Sequence, residues 1–314
     1  MKYKRQLYAF LLCALIIFTF TACSIKRAGC LPEKDFDFLN AENIDAHIPD
    51  LGLSEEALLS RPDFYKHSVC RLSSETYKKY SESDVLALSN ELSGYGQGYG
   101  QNGDPRPSGA VGFENKYGKY TAHAIMPDSE KRIYLTFDEG YENGYTAQIL
   151  DVLKEKNVKA VFFVTYDYVT EQPELIKRMI DEGHVLGNHS MHHRSMPTLD
   201  YKSCVSEIMD LHNYIKEKYD YEMDLFRPPM GQYSERTLAI TESLGYTTVL
   251  WSFAYVDWET DNQPAVSTAF GTVTNSAHNG AVYLLHAVSK TNTAILSDVI
   301  DDFRANGYSL DLYK

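Results

Sequence analysis

From Lys131 onward the chain alternates short apolar runs with longer amphipathic stretches. Arg132–Phe137 and Ala160–Thr165 have the length and apolar character of buried strands. Thr146–Lys156 and Pro173–Glu182 carry apolar residues at helical spacing. The alternation continues with His184–Asn188 as a strand and Asp200–Tyr219 as a helix, then Leu225–Arg227 and Ser234–Leu244. Thr247–Phe253 precedes a helix over Pro264–Ala277, and Ala281–His286 precedes one over Thr293–Asn306, with a last strand near Tyr308–Leu312. Strands alternating with helices of roughly 10 to 20 residues are joined as parallel βα units. The pattern therefore predicts one compact α/β barrel or sheet, whose functional groups belong at the carboxyl ends of the strands.

Before Lys131 the pattern is mixed. Helical stretches are expected at Ser54–Leu59 and Ser83–Leu92, and the Gly- and Pro-rich run Gly94–Pro107 reads as loop or linker. At the start, Lys2, Lys4 and Arg5 precede an apolar run from Leu7 to Phe20 and then Thr21-Ala22-Cys23. That order describes a secretory signal. Cysteine after small residues resembles a bacterial lipoprotein signal with Cys23 as the lipidated residue, although Phe20 stands where Leu is more usual. An uncleaved signal anchor is the alternative, and either places the domain outside the cytoplasm. The resulting division is a signal over residues 1–23, an extension of unknown role over 24–92, a lead-in over 93–130 and a catalytic domain over 131–314.

Composition narrows the classes. Of the 314 residues 44% are hydrophobic and 23% charged, which argues against wholesale disorder. The net charge of −13, with no basic run beyond the first residues, argues against a nucleic-acid partner. The 24 tyrosines suit sugar rings but equally suit ordinary cores. After Cys23 the cysteines are Cys30, Cys70 and Cys204, whose spacing does not resemble a zinc site. A Cys30–Cys70 disulfide would leave Cys204 as a buried free thiol.

The strand-end rule finds a set of ionisable groups. Asp138 and Glu139 follow the first strand, His189 and His193 the third, and Arg227 the fourth, while Asp257 lies after Thr247–Phe253 and His286 closes Ala281–His286. Adjacent carboxylates need a cation or split pKa values. Two imidazoles four residues apart with a carboxylate leave open positions on a divalent metal, the layout of a water-activating hydrolytic site. Zinc, cobalt, manganese and nickel all suit those ligands. Each residue alone also has a plain structural reading: a helix cap for Asp138 or Glu139, a turn cap for Asp257, a surface loop for Arg227, a core histidine for His286. His192, adjacent to His193, is expected to point away. Joint placement is what favours chemistry.

The same residues carry a resemblance. Thr136-Phe137-Asp138-Glu139-Gly140, His189-Ser190-Met191-His192-His193, Arg227-Pro228-Pro229-Met230-Gly231, Asp257-Trp258 and Leu284-Leu285-His286 resemble, in order and spacing, the motifs of the polysaccharide deacetylases with NodB homology. Gly140–Thr146, Ala254–Trp258 and the Gly-Tyr-Gly region resemble the delta-lactam-biosynthetic de-N-acetylases of spore cortex within that family. The resemblance implies an irregular (β/α) barrel with an N-terminal extension, and de-N-acetylation of N-acetylmuramic acid in the peptidoglycan glycan strand, leading to muramic δ-lactam. It implies Asp138 as general base, Glu139, His189 and His193 as ligands of one divalent metal (zinc first), and Arg227 as the group orienting Asp138. The backbone near Met230 would stabilise the oxyanion, His286 would be the general acid supported by Asp257, and Trp258, Leu284, Met230 and Tyr141 would line the substrate pocket. Taken with the lipoprotein-type start, which the resemblance does not cover, this points to a lipid-anchored protein of the forespore or mother-cell membrane, and a peptidoglycan amidase that strips the peptide first would fit as a partner.

Two positions depart from the pattern. Glu139 stands where the family has Asp and the lactam-type members often Asn, and its extra methylene moves the oxygens outward. Ala254 replaces a further Asp, a change the lactam-type members share. Two alternatives stay open: the same chemistry on N-acetylglucosamine of peptidoglycan or a chitin-like oligomer, and a catalytically silent glycan-binding lipoprotein.

Overall fold

A computed structural model describes residues 80–101, 103–126 and 130–313. Its centre is a parallel sheet assembled from β2 (Ala122–His123), β3 (Arg132–Glu139), β4 (Val161–Val164), β5 (Val185–Asn188), β6 (Leu225–Phe226), β8 (Thr247–Val249), β9 (Ala281–His286) and β10 (Ser309–Leu310). The path β10-β3-β4-β5-β6-β8-β2 is continued by β9 on the other edge of β3. In β3 every residue after Arg132 is buried. Such a run is what a parallel strand covered on both faces requires.

The sheet curls into a partly open half-barrel. β9 lies along β3 from Ile133↔Ala281 to Asp138↔His286. On its far edge Phe253 bridges Tyr283, with Ser252 and Phe253 N–H donating to the Val282 carbonyl and Leu284 N–H to that of Phe253. The segment after β8 thereby approaches β9 and completes an irregular, partly open barrel, the form the resemblance implies and one of the two the alternation allows. β8 itself stops at Val249, short of the expected Phe253, because the Val249 and Leu250 carbonyls turn to accept from the Arg227 guanidinium.

The outer helices begin where their capping residues dictate. In chain order they are α1 (Glu82–Ala87), α2 (Ser108–Tyr117), α3 (Thr146–Glu155), α4 (Tyr166–Glu171), α5 (Pro173–Asp181), α6 (Tyr201–Tyr219), α7 (Glu235–Ser243), α8 (Val266–Thr274) and α9 (Lys290–Ala305). Asp200 accepts from Ser203 N–H at 2.7 Å to start α6, Ser234 and Thr237 form a capping box for α7, and Ser289 caps α9. α4 and α2 escaped the periodicity reading; α4 is a short turn of helix with Thr165 as its cap.

The lead-in is the main correction. Far from a linker, β1 (Ser93–Gly94) pairs antiparallel with β7 (Gln232–Tyr233), and Tyr95 packs edge-on to Trp251 and Phe113. Its hydroxyl donates to the Trp251 carbonyl at 2.5 Å. The glycines permit close packing: a Cβ on Gly109 would stand 2.1 Å from the Gly96 carbonyl oxygen. β2, from the same segment, pairs with β8 in the main sheet. Cys204 is a buried free thiol. Cys23, Cys30, Cys70 and Ser54–Leu59 lie outside the described residues, and among those described no helix is long and apolar enough to cross a membrane.

Candidate active site

The carboxyl ends of β3, β5, β6 and β9 open into one cleft with two adjoining lobes of about 390 and 610 Å³. Asp138, His189, His193, Trp258 and His286 line both. Tyr141 belongs to the first lobe, Met230 and Leu284 to the second. All the expected pocket residues therefore meet here. Tyr141, Met230, Val256 and Trp258 are exposed large apolar side chains gathered on its rim.

Asp138 is held by Arg227, whose Nη1 donates to Oδ1 at 2.6 Å. Arg227 is fully buried at the end of β6. Its other nitrogens donate to the Val249 and Leu250 carbonyls at 3.0 and 3.2 Å, and its guanidinium lies 4.1 Å over the Phe163 ring. Phe163 needs Gly187 beside it, where a Cβ would come within 2.4 Å of the ring. Burial pushes the Asp138 carboxyl upward, but the charges of Arg227, His189 and His286 and the Arg227 hydrogen bond outweigh it and hold it below its ordinary value. Its second oxygen, Oδ2, faces His189 Nε2 at 3.6 Å.

His189 Nδ1 lies 2.8 Å from the Arg227 carbonyl. A carbonyl only accepts, so Nδ1 carries the proton and Nε2 presents its lone pair to the cleft. The His189 and His193 rings are 4.8 Å apart. Burial lowers both imidazoles, His189 to about 4, so both stay neutral and able to ligate. The loop between them is set by hydrogen bonds: Ser190 N–H donates to Asn188 Oδ1 and His193 N–H to Ser190 Oγ, each at 2.9 Å. Ser190, His193 and Met230 all adopt positive φ, of 68°, 53° and 58°. Such backbone costs about 1–3 kcal/mol per residue and gathers at functional loops. His192, expected to point away, lines the first lobe as well, with its Nδ1 2.9 Å from the buried Glu207 carboxylate.

Opposite, Asp257 is fully buried. Its Oδ1 accepts from His286 Nδ1 at 2.7 Å and its Oδ2 from His286 N–H at 2.9 Å, which leaves His286 Nε2 toward the cleft. Burial opposes the imidazolium, yet the Asp257 hydrogen bond and charge prevail and raise His286 above its ordinary value. Trp258 stands edge-on to this ring, 5.5 Å between centroids.

Glu139 does not join the group. Successive strand side chains leave on opposite faces, and with Asp138 facing the cleft, Glu139 lines neither lobe. It is fully buried and both its oxygens lack a hydrogen-bond partner. Burial, then the charges of Glu142 and Asp138, raises its carboxyl well above the ordinary value. Among the described residues no three His, Cys, Asp or Glu side chains form a ready-made metal cage. What fits a divalent ion is the pair of neutral imidazoles beside Asp138. Glu139→Gln is accordingly expected to leave metal affinity within about twofold, by titration calorimetry. It should also flatten one slope: a carboxyl raised by folding costs stability as pH climbs above 4.5 toward its folded value, and the glutamine lacks that cost.

Several contributors carried no motif signal: the Val249 and Leu250 carbonyls, Asn188 behind the histidines, Gln97 from the lead-in, and Asn292 near Asp257. Asn188, at a strand terminus directly before His189, was the most readable of these.

This fold and cleft are those of a hydrolytic carbohydrate deacetylase: residues 126–249 match the polysaccharide deacetylase family, to which the chain belongs, and members of that family work by a metal-dependent mechanism. The peptidoglycan-N-acetylmuramic acid deacetylase PdaA of Bacillus subtilis is 42% identical over 224 residues, covering 71% of this chain and 85% of that protein. The solved structure of Bacillus subtilis PdaA, a family 4 carbohydrate esterase, matches with a TM-score of 0.68 at 41% identity, over 72% of this chain and 96% of that one. A family 4 carbohydrate esterase from Bacillus anthracis matches with a TM-score of 0.59 at 38% identity, again over 72% and 96%.

Proposed function

We propose that the protein hydrolyses the acetamide of N-acetylmuramic acid in peptidoglycan glycan strands, releasing acetate and a free amine. The observation that carries this is the pairing of Arg227–Asp138 with Asp257–His286 across one cleft, a base and an acid facing the same space. The similarity to an N-acetylmuramic acid deacetylase supports the sugar.

His189 and His193 would hold one divalent ion, zinc first, with cobalt, manganese and nickel as alternatives. Such an ion would supply Lewis acidity toward the acetyl carbonyl and water. Arg227 occupies Asp138 Oδ1, so Oδ2 is the oxygen free to take the proton of the attacking water. Met230 lines the second lobe, and its backbone N–H would stabilise the developing oxyanion there. His286, held through Nδ1, gives its Nε2 proton to the departing nitrogen. Trp258 and Leu284 supply the apolar wall for the acetyl methyl.

The acid form of His286 is required, so activity is expected to fall as pH rises through its raised pKa. Asp257→Asn removes the charge that raises it, and the basic limb of the kcat–pH profile should move to lower pH with a loss of at least tenfold at neutral pH. Peptidoglycan lies outside the cytoplasmic membrane, which accords with a secretory start; Cys23 lipidation on the forespore or mother-cell membrane, and action after an amidase that strips the peptide, complete the proposal. The direct test incubates residues 80–314 with peptide-free glycan strands and each metal in turn. Mass spectrometry should find muramic acid deacetylated; loss of acetyl from glucosamine alone would favour the second substrate reading, and no acetate with any metal would refute the activity.

A further inference from the structure

Asp257 meets a third donor that no motif includes. Asn292, in the first turn of α9, donates from Nδ2 to Asp257 Oδ2 at 2.6 Å and to the His286 carbonyl at 3.2 Å. Its own N–H is fixed by the Ser289 cap at 3.0 Å. Its Oδ1 accepts from the Tyr255 hydroxyl. Asn292 is buried, 2% exposed. Turning the amide over would set Oδ1 against a carboxylate and a carbonyl oxygen and leave the phenol facing an NH₂. Asp257 Oδ2 and the His286 carbonyl, which only accept, therefore select one orientation, and the Tyr255 hydroxyl donates to the Oδ1 that this orientation presents.

We infer that Asn292 and Tyr255 are positioning residues for the acid step: Tyr255 locks the Asn292 amide, and Asn292 locks the Asp257 carboxylate in the plane that keeps His286 Nε2 toward the cleft. The inference rests on the proposed role of His286 as general acid. Without Asn292, Oδ2 keeps only the His286 backbone N–H, and the carboxylate is free to turn away from Nδ1. Burial, with the Asp257 charge behind it, holds the Tyr255 phenol far above its ordinary value, so it stays a donor throughout. The Tyr255 ring also lines the second lobe, beside Trp258 and Leu284. The residue that fixes the acid's support therefore also touches the space where substrate binds.

Outer partners of this kind are worth roughly 10–100-fold in activity. Asn292→Ala in the metal-loaded enzyme should lower kcat about tenfold or more while KM stays within about twofold, because the cleft wall is intact. Tyr255→Phe keeps the ring and should lower kcat several-fold. The double variant should be no slower than Asn292→Ala, since Tyr255 acts through Asn292. Independently of turnover, the hydrogen-bonded Nδ1 proton of His286 should give a protected NMR resonance in the wild type and Tyr255→Phe, and lose it in Asn292→Ala. Survival of that resonance in Asn292→Ala, a kcat within twofold of wild type, or losses that multiply in the double variant would overturn the inference. A wild type that shows the resonance but releases no acetate would refute the proposed activity instead, and the resonance in Asn292→Ala would still decide the positioning claim.

Discussion

Asp138→Asn should reduce kcat/KM for acetate release by about 10³-fold, within the range that a positioned general base contributes. The amide is nearly the same shape and still offers Oδ1 to Arg227 Nη1, so the barrel should persist at assay temperature with metal affinity close to wild type, although the Tm falls because the buried Arg227 charge loses its counter-ion. What is lost is the second carboxylate oxygen, the one facing His189 Nε2. The amide nitrogen that replaces it donates where a proton must be accepted. A variant that keeps more than about a tenth of wild-type kcat/KM would show that another group takes the proton.

Arg227→Met should have the largest effect on stability of any substitution at the site. The side chain is fully buried, makes three hydrogen bonds and packs on Phe163. Removing one partner of a buried ion pair costs about 3–5 kcal/mol, because the remaining charge is stranded. For a domain of this size that corresponds to roughly 10 °C in Tm. Asp138 would then lose the cation that offsets its burial, its pKa would rise, and at neutral pH the base would be protonated in part. Activity should therefore fall even at temperatures where the variant is folded. The cycle with Asp138→Asn separates the two effects: the double variant should recover much of the stability and none of the activity, since it strands no charge. Equal Tm values for Arg227→Met and the double variant would argue that the guanidinium matters for its packing and carbonyl contacts rather than for its charge.

The barrel and most of the site were legible because both follow from local rules. Buried parallel strands are short apolar runs, and four of them here end on a group with chemistry, so β3, β5, β6 and β9 could be placed together with Asp138, His189, Arg227 and His286. The lead-in was not legible. Glycine lowers the packing signal of a sequence while permitting close backbone approach, and the Gly96–Gly109 contact depends on that. The supporting shell was hidden for another reason. Asn292 reaches Asp257 across 35 residues and Arg227 reaches the β8 carbonyls across 22 and 23, separations at which sequence carries no geometric information. Glu139 marks the limit of reading a strand end as a point. Residue type and position suggested a ligand, but alternation along β3 carries its carboxylate out of the cleft that Asp138 enters.

The central claim is that two neutral imidazoles next to a base carboxylate hold the reactive ion, and anomalous diffraction from a zinc-soaked crystal tests it most directly. The account predicts one strong peak about 2.0–2.1 Å from His189 Nε2 and from a His193 ring nitrogen, adjacent to Asp138 Oδ2. A peak beside Glu139 and Glu142 instead, with the two imidazoles bare, would contradict it.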